Sequence, residues 1–357
     1  MHEDFSKARW LRSGAAACLS LLLLFPALTE AAGAVSVSAG GNAISSVQEL
    51  VPVGHTIGIK LFSRGVLVVK LPEGNTPARR AGLERGDVIL KCDGTGITST
   101  EQFQSLLQKT EGAQIKLQVR RNAALRTVTT APTKNRDGVW TIGAWIRDSM
   151  AGIGTMTFYD PQSGVFGALG HGITDTDTAV LMPFSAGSIL PSAVKAVKKG
   201  EVGSAGELRG DFNLNVNLGD LYANTDGGIF GTMETSDFTK TFRAAVPVAE
   251  NAEVQTGKAT ILANVEGDEV REYPVEITRL YPAGSDPRDL LVTVTDPELL
   301  KITGGIVQGM SGSPILQNGK IVGAVTHVLL NDPTRGYGIL IRNMLENADL
   351  QSAENAS

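Results

Sequence analysis

The chain has 357 residues, of which 42% are hydrophobic and 19% charged, and its formal net charge is −5 at pH 7. This length predicts two domains, each with enough apolar residues for a core of its own. The charge balance, with no Lys/Arg cluster interleaved with aromatic residues, argues against nucleic acid as a partner. Since Cys18 and Cys92 are the only cysteines, we expect neither an intrachain disulfide framework nor a cysteine-based metal site.

Residues 1–34 have the composition of an export signal. Lys7, Arg9 and Arg12 precede an apolar run from Ala15 to Leu28, and small residues follow it. The run is shorter than the roughly twenty residues of a membrane span. We therefore predict a signal peptide or signal anchor that sends the rest of the chain out of the cytoplasm. Residues 35–47 are small and polar and predict a flexible tether.

Residues 48–131 predict a compact module of short strands and two helices. The stretch from Pro77 to Leu90, P-A-R-R-A-G-L-E-R-G-D-V-I-L, resembles the signature of PDZ domains. This resemblance implies that a loop of Thr56, Ile57, Gly58 and Ile59 binds the end of a peptide ligand through its N–H groups, with His55 at the mouth of the groove. The alternative is a PDZ fold that serves only as a spacer.

After a linker at 132–138, residues 139–350 predict a second, larger domain. Many short strands separated by Gly-containing turns indicate a β-barrel or sandwich. The longest candidate helix in this domain, Ile189 to Lys198, is short.

A serine near the C-terminal end of this domain is the candidate nucleophile. Residues 309–314 read G-M-S-G-S-P, which places Ser311 between two glycines. Glycine tolerates the backbone angles of a tight turn, and N–H groups around such a turn can converge on a developing oxyanion. An ordinary Gly/Ser turn in a β domain is the alternative.

A serine hydroxyl needs an adjacent base, and the chain has four histidines. His2 precedes the apolar segment and His55 belongs to the first module, so His171 and His327 remain. Because His171 lies between Gly170 and Gly172, we predict that it is the base for Ser311.

A carboxylate that fixes the imidazole tautomer would complete the set. Asp175 and Asp177 follow His171 closely, and Asp296 precedes Ser311. Only adjacency in space matters for this role, so the residues alone leave all three open. Asp296 could equally cap a turn or helix before Pro297.

The chain resembles the stage IV sporulation protein B peptidases of endospore-forming bacteria over nearly its whole length. The resemblance is carried by residues 170–175 (G-H-G-I-T-D), 295–314, 323–327 (G-A-V-T-H) and 331–338 (N-D-P-T-R-G-Y-G), and by the order of export signal, PDZ module and peptidase. HtrA-type proteases place the PDZ domain after the protease and fit less well.

The resemblance implies a mainly β protein: a signal or anchor, a small PDZ-like α+β domain, and a trypsin-like double β-barrel. It implies the catalytic residues Ser311, His171 and Asp296, with the N–H groups of Gly309 and Ser311 as the oxyanion hole. Ser313 departs from the trypsin-like pattern, where glycine is usual. The acid also falls unusually close to the serine, which keeps Asp175 and Asp177 as alternatives.

The family resemblance further implies a serine endopeptidase without metal or cofactor, exported to the space between the two forespore membranes. There it would cleave itself and a membrane-bound regulator, releasing an intramembrane metalloprotease that activates the late mother-cell sigma factor. The competing interpretation is a PDZ-type signalling scaffold with a degenerate peptidase fold.

His327 lies on the strand after the hairpin that follows Ser311. In trypsin-like folds this strand lines the pocket for the residue before the scissile bond, so we predict that His327 shapes this pocket and favours a polar or acidic side chain. The alternative is a buried strand histidine bonded to backbone.

Overall fold

The computed structural model describes residues 43–282 and 288–355, with side chains up to residue 349. The predicted export signal and the tether up to residue 42 lie outside the described residues. The last tether residues are held in place, because the N–H groups of Ile44 and Ser45 each donate to the Asp349 carboxylate over 2.9 Å. None of the described helices is long and apolar enough to cross a membrane.

Strands dominate the described part of the chain. The strands are β1 (Glu49–Pro52), β2 (Thr56–Lys70), β3 (Val88–Cys92), β4 (Thr95–Gly96), β5 (Ile115–Arg121), β6 (Ala124–Thr130), β7 (Thr133–Lys134), β8 (Trp140–Thr141), β9 (Trp145–Tyr159), β10 (Val165–Ala168), β11 (Phe184–Lys198), β12 (Glu207–Phe212), β13 (Gly219–Thr225), β14 (Gly228–Thr232), β15 (Val246–Pro247), β16 (Gly257–Glu266), β17 (Glu269–Leu280), β18 (Leu290–Val294), β19 (Pro314–Gln317), β20 (Lys320–Leu329) and β21 (Asp332–Leu340). The α-helices are α1 (Pro77–Arg80), α2 (Thr100–Lys109), α3 (Pro297–Thr303) and α4 (Ile341–Asn355), and short 3₁₀ turns occur at Ile44–Ser46, Thr239–Thr241 and Asn251–Glu253.

Six strands close the first barrel. β9 pairs with β10, and the order continues through β14, β13, β11 and β2 back to β9. Alternate side chains of a barrel strand point inward. Ile57, Ile59, Phe166 and Ile229 are buried in this way and share one core. Each of these six strands is therefore hydrogen-bonded to a neighbour on both sides.

A second barrel has six strands, paired in the order β16, β17, β18, β21, β20 and β19, with β19 closing on β16. Its inward-facing residues are aliphatic, including Ile261, Val275, Ile277 and Val292, all fully or almost fully buried. The expectation of a mainly β protein with a double β-barrel is therefore confirmed.

The PDZ unit consists of the second half of β2, strands β3 to β6, and helices α1 and α2. Ser99 begins α2, and its Oγ accepts the N–H of Gln102 at 3.1 Å. Phe103 and Leu107 lie one turn apart on one face of α2 and are buried against β2, β3 and β5. A small α+β unit with a PDZ topology is confirmed.

The prediction that Thr56, Ile57, Gly58 and Ile59 form a peptide-binding loop is wrong. These residues form the start of β2, where Ile57 pairs with Gly154 of β9 on one side and with Pro191 of β11 on the other. The strand is thus hydrogen-bonded into the barrel along both edges, so its backbone is not available to a peptide. The first barrel therefore begins inside the segment predicted as PDZ.

Two further expectations differ from the structure. His55 does not lie at a PDZ groove but packs against the rings of Phe238 and Phe242, at centroid distances of 5.4 and 5.9 Å. The candidate helix Ile189 to Lys198 is part of strand β11, because the segment is paired with β2, β12 and β13.

The stretch from residue 139, where the peptidase domain is predicted to begin, packs on the PDZ unit. The carbonyl of Trp140 accepts the amides of Gln104 and Gln108 from α2, both at 2.8 Å, and Ile142 is buried in the PDZ core. β9 then begins at Trp145 alongside Lys70 and continues into the first barrel. One strand therefore belongs to both units.

Candidate active site

A cleft of about 630 Å³ lies where the two barrels meet. The first barrel contributes residues of β2 and β9 and the loop after β10. The second contributes the segment before β19 and residues 326–328 near the end of β20. Ser311, His171, His327 and Gly309 all line this cleft, so the structure brings four of the residues predicted for the peptidase site together.

The turn that carries Ser311 requires glycine on both sides. Gly309 and Gly312 have φ values of +98° and +97°, in the region that disfavours a side chain. A Cβ on Gly312 would also lie 2.0 Å from the carbonyl oxygen of Thr155. Thr155 in turn donates its N–H to Ser311 O at 2.9 Å and its hydroxyl to Gly309 O at 2.7 Å. The serine turn is thereby fastened to β9 of the other barrel.

Two N–H groups of this turn have no acceptor among the described residues. Met310 donates to Val307 O at 3.1 Å, Gly312 to Val325 O at 2.7 Å, and Ser313 to Met310 O at 3.0 Å. The N–H groups of Gly309 and Ser311 form no such bond within the described chain. Two unused donors on the turn that carries the serine are available to an oxyanion.

The hydroxyl of Ser311 is hydrogen-bonded to a backbone carbonyl in this structure. Its Oγ donates to the carbonyl oxygen of Thr326 in β20 at 2.7 Å. This bond holds the side chain in the cleft beside the residue that precedes His327. Because a hydroxyl has a single hydrogen to donate, this bond must be given up before Ser311 can donate to a base.

His171 follows β10 through two residues with left-handed backbone angles, Leu169 (φ +70°) and Gly170 (φ +68°). A Cβ on Gly170 would meet Thr326 at 3.0 Å, so the loop approaches β20 closely at this point. The ring Nδ1 of His171 lies 2.9 Å from the carbonyl oxygen of Gly172. That contact places the proton on Nδ1 and leaves the lone pair on Nε2.

Burial lowers the pKa of His171, while the bond to the Gly172 carbonyl acts in the opposite direction. The first effect is the larger, since an imidazolium loses more hydration on burial than a neutral ring does. His171 is therefore the neutral, proton-accepting form at neutral pH.

His327 stacks against His171. Their ring centroids are 4.7 Å apart with an interplanar angle of 36°. His327 lies in β20 opposite Tyr337 of β21 and faces the same cleft as Ser311. The contact between the two rings could not be found from the sequence, because it depends on how the barrels dock.

The structure does not bring Asp296 to His171. Asp296 is the N-cap of α3, and its Oδ1 accepts the N–H of Leu299 at 2.7 Å. No hydrogen bond or ion pair among the described residues joins it to His171, and it does not line the cleft. The expected contact between these two side chains is absent from this conformation.

The two alternative acids are also engaged elsewhere. Asp175 is fully buried and binds the guanidinium of Arg147, while Asp177 is 54% exposed and binds the same guanidinium at 2.9 Å. A fourth carboxylate, that of Asp226 on the turn between β13 and β14, lines the cleft and is exposed. Sequence reasoning missed Asp226, since an acidic residue in a hairpin turn is unremarkable by itself.

Known families match both parts of the chain. The profile described as SpoIVB peptidase S55 matches residues 138–345, which is more than half of the chain, and that of the PDZ domain matches residues 56–131. A Clostridium perfringens protein that carries the name of a zinc metalloprotease is 35% identical over 69 residues. This match covers 19% of the chain and only 21% of that relative.

Solved structures match with low scores. The PDZ domain of an SdrC-like protein from Listeria monocytogenes is 22% identical, with 23% of this chain and 87% of that one covered and a TM-score of 0.22. The HtrA-type protease AlgW with a decapeptide is 8% identical, with 85% and 66% covered and a TM-score of 0.34. At these TM-scores the likeness adds nothing to the topology described above.

Proposed function

We propose that this chain, which belongs to the SpoIVB peptidase family, is a serine endopeptidase with Ser311 as its nucleophile and His171 as its general base. The observation that carries this proposal is the shared cleft in which Ser311, His171 and two unused N–H groups meet. A neutral histidine beside a serine on a glycine-flanked turn has the composition of an acyl-transfer site.

The proposed reaction begins when the Ser311 hydroxyl leaves the Thr326 carbonyl and turns to Nε2 of His171. His171 takes the proton as Oγ attacks the carbonyl carbon of the scissile bond. The N–H groups of Gly309 and Ser311 donate to the oxyanion of the tetrahedral intermediate. His171 then gives the proton to the leaving amine, and water, activated by the same imidazole, releases the acyl group.

The carbonyl of Gly172 takes over one task that a carboxylate performs in a Ser–His–Asp triad. Its bond to Nδ1 fixes the tautomer and orients the ring. A neutral carbonyl stabilises the imidazolium less than a carboxylate would. The role of Asp296 as a third member, implied by the family, stays a prediction.

We further propose that the protein acts in sporulation signalling, as the family resemblance implies. It would be exported, with or without an N-terminal anchor, to the space between the forespore membranes. Its substrates would be the chain itself and a membrane-bound regulator, whose cleavage leads to activation of the late mother-cell sigma factor. The PDZ unit would bind a peptide segment of such a partner.

Reaction with a fluorophosphonate probe tests the nucleophile, with Ser313→Ala as the matched control for Ser311→Ala. Ser313 is two residues away and fully buried. We expect the wild type and Ser313→Ala to be labelled and Ser311→Ala to remain unlabelled. Labelling of Ser311→Ala at the wild-type rate would exclude Ser311 as the nucleophile, and an unreactive wild type would favour a degenerate peptidase fold.

Intact mass over several hours tests self-cleavage. We expect the wild-type chain to shorten at one bond while Ser311→Ala stays intact. Equal shortening of both would point to a contaminating protease. If the wild type reacts with the probe but keeps its full mass, the proposal of self-cleavage is wrong while that of a peptidase stands.

A further inference from the structure

Arg147 lies in β9 at the point where the strand passes from the PDZ unit to the first barrel. On the PDZ side, residues 145–147 pair with β2, with Arg147 opposite Leu67. The next residue, Asp148, accepts the N–H of Thr100 at 2.7 Å and its hydroxyl at 3.0 Å, at the start of α2. The backbone of Arg147 is therefore fixed to the PDZ unit on two sides.

The side chain of Arg147 reaches the loop that follows His171. Its guanidinium binds the carboxylate of Asp175 through Nη1 and that of Asp177 through Nη2, the latter at 2.9 Å. Asp175 is fully buried, and the Arg147 side chain is 33% exposed. One guanidinium thus spans a buried and an exposed carboxylate of the same loop.

Asp175 organises the loop from within. Its Oδ1 accepts the N–H groups of Asp177 at 3.1 Å and Thr178 at 2.8 Å, and its own N–H donates to Val180 O at 2.9 Å. Nearer to His171, the amide of Asn224 holds both the N–H and the carbonyl of Ile173. Only Gly172 separates Ile173 from His171, so the position of His171 depends on the anchors at Asn224 and at Asp175 together.

The Arg147 guanidinium is the only cationic partner of Asp175 among the described residues. A buried carboxylate that loses its cation keeps the cost of desolvation without the compensating attraction. Without Arg147, the loop can relieve that cost by moving Asp175 toward water. A movement large enough to pull Ile173 from the amide of Asn224 would carry His171 with it, since only Gly172 separates the two residues.

We propose that Arg147 is a positioning residue for His171, acting through Asp175, and that it links the PDZ unit to the catalytic base. This inference rests on the proposed role of His171. It assigns to Arg147 a function in turnover rather than in substrate binding, since Arg147 does not line the cleft.

The test compares Arg147→Met, Arg147→Lys and the control Asp177→Asn in the full chain. Asp177→Asn removes the exposed partner of the same guanidinium and leaves Asp175 paired. Each variant is measured for kcat and KM on a peptide substrate and for its rate of reaction with a fluorophosphonate. Because displacement of a catalytic group by about 1 Å can cost about 100-fold, we expect Arg147→Met to lower kcat on the order of 10- to 100-fold.

For the same variant we expect KM to stay within about threefold and the labelling rate to fall in parallel with kcat. Arg147→Lys should regain part of the loss, because it restores the charge, and Asp177→Asn should stay near the wild type. If Arg147→Met is folded and has the wild-type kcat, with enzyme concentration taken as the concentration of sites that react with the fluorophosphonate, the inference is overturned. A loss that appears in thermal stability alone would also overturn it.

Two further measurements keep the outcomes distinct. If Arg147→Met does not fold, Arg147→Lys decides, since a fully active lysine variant with a wild-type labelling rate would refute the need for the bridging guanidinium. If His171→Ala labels as fast as the wild type, it is the proposed role of His171 that fails. The inference about Arg147 then fails as well, and the labelling rate of His171→Ala shows that the cause is the role assigned to His171.

Discussion

Asp296 offers the sharpest test of how the catalytic group is composed. In the structure its carboxylate caps α3 by accepting the N–H of Leu299 at 2.7 Å, and no hydrogen bond or ion pair joins it to His171. The family resemblance instead implies that it orients His171. Replacement by Asn and by Ala separates the two roles, because Asn keeps an oxygen acceptor for the cap and loses only the charge.

The expected losses in the free energy of unfolding follow from the role of Asp296 as the N-cap of α3. Loss of an N-cap acceptor costs about 1 kcal/mol of stability, so Asp296→Ala should lower the free energy of unfolding by about that amount. Asp296→Asn keeps the cap and loses only the attraction between a negative charge and the helix N-terminus, about 0.3–1 kcal/mol. For a residue that only caps, both variants should retain kcat within a few-fold once the folded fraction is taken into account.

Urea unfolding and peptide turnover measured on the same preparations give the answer. A triad acid replaced by its amide lowers kcat about 10⁴-fold with little change in geometry. If Asp296→Asn loses activity to that extent while its unfolding free energy stays near the wild type, the interpretation as a cap is refuted. Asp296 would then have to reach His171 in a conformation that forms with substrate.

Three other predictions concern the same cleft. Because burial lowers the pKa of His171, the acidic limb of the pH profile of kcat/KM should lie below pH 6.5. The stability due to this group should decrease as the pH falls from 6.5 through the folded-state pKa. An acidic limb above pH 6.5 would contradict the prediction. Gly312→Ala should abolish fluorophosphonate labelling and lower the unfolding temperature, since its Cβ would lie 2.0 Å from Thr155 O at a φ of +97°; retained labelling would show that the turn can move. His327→Ala should change the preference for the residue before the scissile bond in a peptide library, and an unchanged preference would remove His327 from the specificity pocket.

The candidate site shows what local chemistry can predict. Glycines two residues before and one after Ser311, and on both sides of His171, predict tight turns, and the structure has left-handed backbone angles at Gly309, Gly312 and Gly170. Such angles are a property of a few consecutive residues. They can therefore be inferred without knowledge of the fold.

The partners of His171 were beyond the reach of the same reasoning. The choice between Asp175, Asp177 and Asp296 depends on adjacency in space, and the structure assigns the first two to Arg147 and the third to a helix cap. The stacking of His327 on His171 arises only when two barrels meet. These are tertiary facts, and no spacing in the sequence encodes them.

The misplaced PDZ loop has a more specific cause. Residues 56–59 read T-I-G-I and residues 141–144 read T-I-G-A, so two stretches of similar local character compete for the place beside the PDZ sheet. The second lies there: Ile142 is buried in the PDZ core, its carbonyl accepts the N–H of Ala78 at 2.8 Å, and β9 continues alongside β2.

Residues 56–59 gain more from the barrel, where both edges of the strand are bonded and Ile57 is fully buried. Backbone pairing on two edges satisfies every N–H and carbonyl of a strand, whereas one edge of a PDZ sheet leaves half of them to solvent or to a ligand. Residues 56–59 therefore pair within the barrel, while residues 141–144 and the start of β9 lie beside the PDZ sheet. Arg147, in β9, thus lies between the two units.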